Sequence, residues 1–145
     1  MKIASRVLLV IGAVVSIIVT IIFVILSIQF FNLASPENTN AIIEGLRNGT
    51  ITTTFPGTNQ EKAAAIQMTF GIFATVYLIF AILTFFNFII ALASIGVKRK
   101  GAMIANIVFG FLSMMTLNAI AGILGLIAIS REKSAPKEVD PLTEI

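Results

Sequence analysis

Three long uncharged stretches, separated by short charged ones, set the pattern of the chain. The first runs from Val7 to Pro36, and nineteen of the twenty-five residues between Val7 and Phe31 are Ile, Leu, Val or Phe. The second runs from Ala63 to Val97 and the third from Gly101 to Ser130. A membrane span needs about 20 consecutive apolar residues, so each stretch is long enough to lie in a bilayer. On an insertion scale the first contributes on the order of −6 to −11 kcal/mol before polar deductions. Lys2 and Arg6 precede it as they would a signal peptide. A cleavable apolar region, however, spans only about 7–15 residues, and the cleavage-like Leu33-Ala34-Ser35 follows too late. The pattern predicts an uncleaved signal-anchor helix over about 7–33.

The second stretch predicts a helix over 63–97. As one helix it would measure roughly 52 Å against a hydrocarbon core of about 30 Å, so the surplus is expected to project at the Ala63–Gln67 end. Thr58-Asn59-Gln60-Glu61 supplies cap residues and a first-turn acid just before it. The third stretch reads either as one long tilted helix or as two short ones, 101–115 and 118–130. In the second case the chain folds about Met115-Thr116-Leu117-Asn118, with Asn118 capping the turn.

Charge favours the two short helices. Basic clusters stand at Lys2/Arg6, at Lys98-Arg99-Lys100 and at Arg131/Lys133/Lys137. The segment 34–62 carries Glu37, Glu44 and Glu61 against Arg47 and Lys62, a net charge of −1. Basic residues at membrane ends stay cytoplasmic, which puts the first two clusters inside and 34–62 outside. For the third cluster to be inside as well, 101–130 must cross an even number of times. Arms of about 22 Å are short but tolerable where the bilayer thins, and Gly110, Gly122 and Gly125 would let them pack closely. The expected fold is thus an all-α integral membrane bundle of four transmembrane segments. Residues 1–133 form one transmembrane domain with both termini cytoplasmic, and 134–145 form a short disordered tail.

The outer segment carries its own signals. Ser35-Pro36 is a helix start, with Ser as N-cap and Pro in the first helical position. Ala41, Ile42, Ile43 and Leu46 then make one apolar side, ending near Gly49, so a short amphipathic helix is expected on the membrane surface or the bundle top. Thr50–Phe55 is extended by its β-branched content, and Pro56-Gly57 turns the chain back. Asn48-Gly49-Thr50 matches a glycosylation acceptor, but Asn and Gly at a helix C-cap explain it better.

Composition narrows the chemistry. The chain has 57% hydrophobic and 12% charged residues and a mean hydropathy of +1.01, where soluble domains have about 45–50% and about 25%. It contains no His, Cys or Trp, which removes thiol nucleophiles, imidazole bases and the usual zinc, haem and iron–sulfur ligands, so neither a metal nor another cofactor is expected. The three spans hold no charged residue, which argues against coupled proton transport and against an enzyme. Their polar residues are neutral, and Asn87 and Asn106, at mid-span, are the candidates for a narrow polar path.

Small residues recur at helical spacing. Gly12, Ser16, Thr20 and Ser27 fall on one stripe of the first helix. Gly71, Thr75 and Leu78 define a face of the second, with Ala91 and Ser94 further along, and Ala121 and Gly125 do so in the last. Such faces admit close backbone approach, either within the bundle or to a partner or second copy. Phe70, Phe73, Tyr77 and Phe80 form an aromatic row that Phe85, Phe86 and Phe88 continue, and core packing or lipid exposure accounts for it. Lys98-Arg99-Lys100 is too short and too near the membrane for nucleic acid, and it fixes topology beside anionic head groups.

The order of these features resembles a known family. A long first span is followed by an outer segment with Ser-Pro-Glu and Phe-Pro-Gly-Thr, a Phe-rich second span, a Lys-Arg-Lys loop, and a Gly-rich end at Asn118-Ala-Ile-Ala-Gly-Ile-Leu-Gly-Leu-Ile127. This is similar to a family of small four-helix membrane proteins of Gram-positive bacteria classed as a domain of unknown function. The resemblance implies four spans in a bacterial plasma membrane and supplies no site residues. The function expected is that of a non-enzymatic accessory, regulatory or envelope-maintenance protein that docks a larger membrane partner. The alternatives are a homo-oligomeric pore or small transporter subunit, and an immunity protein against a membrane-active peptide or toxin.

Overall fold

The computed structural model describes residues 2–95 and 100–134; Met1, residues 96–99, the tail beyond Ser134, and the side chains of Lys2 and residues 132–134 lie outside this description. Lys98 and Arg99 of the basic loop therefore fall outside it, as does the tail expected from 134 apart from Ser134 itself. The described chain is all helical, with no strand. Helix α1 covers Lys2–Ala34, a 3-10 turn covers Pro36–Asn38, and α2 covers Thr39–Asn48. Helix α3 covers Asn59–Ile95, α4 Lys100–Leu112 and α5 Thr116–Ser134. Helices α1 and α3 are each long and apolar enough to cross a membrane, and both are mostly uncovered by protein, with 28% of the most apolar window buried in each.

The chain forms two compact units. One comprises residues 17–85 and holds the second half of α1, the outer segment and the greater part of α3. Thr20 donates to Thr84 Oγ1 at 2.8 Å, and Ser27 Oγ donates to the Ala74 carbonyl at 2.9 Å. Phe23 lies between Tyr77 and Phe80, and Phe30 against Phe70, Phe73 and Tyr77, with ring centroids 5.5–5.9 Å apart. The aromatic row of the sequence is thus a ladder joining α1 and α3. Val14, Ile18, Ile21, Ile22, Ile25 and Ile28 on α1 each remain 48–55% exposed.

Local chemistry sets the elements between α1 and α3. Ser35 caps the 3-10 turn, with Pro36 in the first position, and Gly49 ends α2 at φ +78°. Gly49 in the left-handed region fits the C-cap reading of this tripeptide, and Asn48 Oδ1 accepts the Thr50 N–H at 3.0 Å. Ile42 and Gly45 are buried, and Ile43 and Leu46 are half-buried. Ala41 is exposed and does not belong to the apolar side expected for it. The chain after α2 folds back onto Gly45, whose carbonyl accepts the Ile51 N–H at 2.9 Å. Gln67 then ties the segment to α3 by donating to the Ser35 carbonyl at 2.8 Å. Thr58 and Glu61 form a reciprocal cap, so α3 starts at Asn59, four residues before the apolar stretch.

The other unit comprises the chain up to Ser16 and from Phe86 onward. Its core is Leu9 and Ala13 of α1, Ala91 of α3, Met103 of α4, and Ala121 and Ile129 of α5. Helices α4 and α5 touch through glycine. A Cβ on Gly110 would stand 2.7 Å from the Ala119 amide nitrogen, and one on Gly122 would stand 2.7 Å from the Met103 carbonyl.

Candidate functional site

Side chains rich in hydrogen-bonding groups gather in this second unit, drawn from four helices and one turn. Ser5 and Ser16 belong to α1, Asn87 and Ser94 to α3, Asn106 to α4 and Asn118 to α5, with Ser113 in the turn between the last two; all seven are buried. Asn87 Nδ2 donates to Ser113 Oγ at 3.0 Å and Asn118 Nδ2 to Ser16 Oγ at 3.1 Å. Asn106 Nδ2 donates to Ser94 Oγ at 2.5 Å and to the Ala102 carbonyl of its own helix at 3.0 Å. Ser5 Oγ donates to the Ala121 carbonyl at 2.9 Å. The serine hydroxyls pass their protons to helical carbonyls, Ser94 to Ile90 and Ser113 to Phe109, which leaves their lone pairs for the asparagine amides. The same asymmetry leaves the carbonyl oxygens of Asn87, Asn106 and Asn118 without a conventional donor.

Asn118 corrects an expectation. It does not cap the turn, because the chain reverses at Ser113–Met115 and α5 already begins at Thr116. The reversal is made by Met114 in the left-handed region at φ +57°, with its N–H bonded to the Phe111 carbonyl at 3.1 Å. Asn118 is thereby the third residue of α5 and points across to α1. Its Oδ1 occupies the space of a side chain at Gly12, only 1.6 Å from where a Cβ there would stand. Gly12 is a socket for Asn118, and the oxygen rests against its Cα, a position suited to a weak C–H···O contact. A cavity of about 170 Å³ opens beside this pair, lined by Gly12, Val15 and Met114–Asn118.

The remaining singled-out residues divide between the units. Gly12 and Ser16 serve the asparagine cluster, and Gly125 lies against Met103 and Ser5, all in one unit. Thr20 and Ser27 of the same α1 stripe bond α3 in the other. Gly71 and Thr75 are different. A Cβ on Gly71 would meet only Ala34 at 4.0 Å, and Thr75 is exposed and bonds the Gly71 carbonyl of its own helix at 2.9 Å. Leu78 beside them is 41% exposed. Asn87 and Asn106 lie in one unit with no exposed surface, bonded to separate serines. Ser5 was not singled out in the sequence, although it stands seven residues before Gly12 on the same stripe.

Chemically the arrangement is neutral. It can hold helices in register and admit a small polar guest such as water, but nothing in it gains or loses a proton near neutral pH. No family model, curated protein or solved structure matches this chain.

Proposed function

We propose that the chain is a multi-pass protein of a bacterial plasma membrane that acts without catalysis, as an accessory or regulatory subunit docking a larger membrane protein. The observation carrying the membrane reading is the girdle of half-exposed Val and Ile along α1, together with the low burial of both long helices. An apolar surface of that extent is untenable in water and ordinary in lipid. In this reading α1 and α3 span the bilayer, and α4 and α5 are two further membrane segments. The outer segment faces outside and both termini are cytoplasmic, as the basic clusters favour and as the resemblance to the four-helix family suggests.

Docking is supported by what internal packing leaves over. Ser5, Ser16, Thr20 and Ser27 of α1 are engaged in bonds to neighbouring helices, whereas the α3 face of Gly71, Thr75 and Leu78 meets, among the described residues, only Ala34 beside Gly71. A second transmembrane helix could approach there closely. The test is photo-crosslinking in intact membranes from probes at Thr75 and Leu78, with Ile25 of α1 as the comparison, followed by mass spectrometry. One recurrent heterologous partner captured from the α3 face alone is the expected outcome. Self-crosslinks only would favour the homo-oligomeric pore, and solute flux in proteoliposomes that Asn87→Leu and Asn106→Leu abolish would establish it.

A further inference from the structure

The turn between α4 and α5 sits at a depth that two rulers measure independently. Asn118, three residues past the turn, bonds Ser16 and rests on Gly12 of α1, and Val15 lines the cavity beside the turn. Ser16 is ten residues from Arg6, the exposed cation at the cytoplasmic end of α1, or about 15 Å of helix. On α3, Ser113 in the turn accepts from Asn87, eight residues before Ile95, the last described residue of that helix, or about 12 Å. Helix α4 itself has 13 residues, about 20 Å in length. The hydrocarbon core is about 30 Å thick, so both rulers stop near its middle. Helix α1, by contrast, continues another eighteen residues beyond Ser16 to Ala34.

The surface of the turn fits that depth. Phe111 is 64% exposed, Leu112 54% and Met114 76%, and no charge occurs between Lys100 and Arg131. A loop emerging into water would present these three large apolar side chains to it. Part of the turn's backbone is satisfied from within. The Ser113 N–H bonds Phe109, the Met114 N–H bonds Phe111, and the Asn118 and Ala119 N–H groups bond Met115. Met115, Thr116 and Leu117 line the cavity of about 170 Å³, and non-helical backbone is tolerated at membrane depth where it is buried in protein or lines a water-filled cavity.

We propose that α4 and α5 form a re-entrant pair that enters from the cytoplasmic side and turns back at the middle of the bilayer, with Phe111, Leu112 and Met114 covered by lipid acyl chains. This rests on the membrane reading above and refines it: two helices cross the bilayer and two return. It also meets the requirement that Arg131 lie on the same side as Lys100, without asking short arms to span the full thickness.

The chain has no native cysteine, so single cysteines report cleanly. Met114→Cys and Leu112→Cys would each be spin-labelled in the full-length protein in phosphatidylglycerol/phosphatidylcholine liposomes, with Thr54→Cys as the outer marker. The expected result is several-fold greater collision with oxygen than with a water-soluble nickel chelate at 112 and 114, and the reverse at 54. Preferential nickel access at 114 would mean the turn reaches water and would overturn the proposal. Low access to both probes would mean a protein surface covers the turn, and would overturn it too. In intact cells an impermeant maleimide should label Thr54→Cys and leave Met114→Cys unlabelled. Labelling of both sinks the re-entry while sparing the membrane reading, whereas labelling of neither removes the outward placement of residue 54 and the topology with it.

Discussion

The two compact units hold their helices together with different chemistry. In the unit of residues 17–85 the contact is aromatic: Phe23 and Phe30 interlock with Phe70, Phe73, Tyr77 and Phe80, and two hydroxyl bonds fix the register. In the unit containing α4 and α5 the contact is small and polar, with glycines seated on backbone and asparagine amides reaching serines. In the proposed membrane setting, lipid is as apolar as Leu, so burying apolar area stabilises neither unit much relative to separated helices. What remains is close packing and hydrogen bonding. A two-helix contact can use large rings that tolerate small shifts. A four-helix contact with short arms needs glycine sockets, which tolerate almost none.

That difference is sharpest in substitutions that add a single methyl group. Gly110→Ala would place a Cβ 2.7 Å from the Ala119 nitrogen and 3.1 Å from its Cα, and backbone cannot swing aside. The expected cost is about 3 kcal/mol, with α4 and α5 parting, because overpacking a tight contact typically costs about 1–3 kcal/mol and this one has no relief. Gly12→Ala meets a side chain instead. Asn118 must rotate and surrender its bond to Ser16, a loss of about 1–2 kcal/mol. Asn118→Ala alone should cost a similar amount, and Gly12→Ala should add little in that background because the bond is already gone and the socket is empty, whereas no side-chain change at Ala119 rescues Gly110→Ala. Steric-trap unfolding of the four variants in bicelles measures both, and a double-mutant cycle with no coupling between 12 and 118 would refute the socket.

The aromatic unit should respond more gently. Phe30 touches three rings, the nearest being Tyr77 at 5.5 Å and 15° between planes. Individual aromatic pairs contribute about 0.5–1.5 kcal/mol, so Phe30→Leu, which keeps apolar bulk, should cost about 1–2 kcal/mol. Hydrogen exchange should rise across 67–77 and stay unchanged across 102–125. Equal loosening of both stretches would mean that the two chemistries do not act separately.

How far the sequence reveals this architecture depends on how local each determinant is. The long helices, the Ser35 cap, the Gly49 stop and the Thr58–Glu61 box are written in contiguous residues and follow from length, capping and left-handed φ alone. The glycines of α4 and α5 are visible as a composition that permits close arms. Asn118 is not legible in this way. Its position near the middle of an uncharged stretch suggests a turn, but its role depends on Gly12, more than a hundred residues away, having no side chain. Nor does spacing distinguish the stripe of Ser16 and Thr20 from the face of Gly71 and Thr75. The first is covered and the second open, and only the arrangement of neighbours tells them apart. The half-depth turn is hidden for the same reason, since fifteen apolar residues describe a short span and a re-entrant arm alike.

The smallest effect lies at the N-terminal end of α3, where the capping side chains are exposed and the contrast between units ceases to matter. The Thr58 N–H donates to Glu61 Oε2 at 2.7 Å, and the Thr58 hydroxyl donates to the same oxygen at 2.9 Å. These two bonds, the backbone one foremost, hold the Glu61 carboxyl below the ordinary glutamate value. A depressed folded-state pKa stabilises the cap fully above the unfolded value of about 4.3, and that stabilisation is lost as pH falls through the folded value. Acidification should therefore fray the first turn of α3 and accelerate amide exchange at residue 58 before any other described segment responds. Glu61→Gln keeps a side chain that can reach back to the Thr58 N–H but cannot titrate. It should show the same exchange at residue 58 above and below about pH 4 once intrinsic rates are divided out. A wild-type profile as flat as that of the glutamine variant would show that the box contributes nothing to the start of the helix.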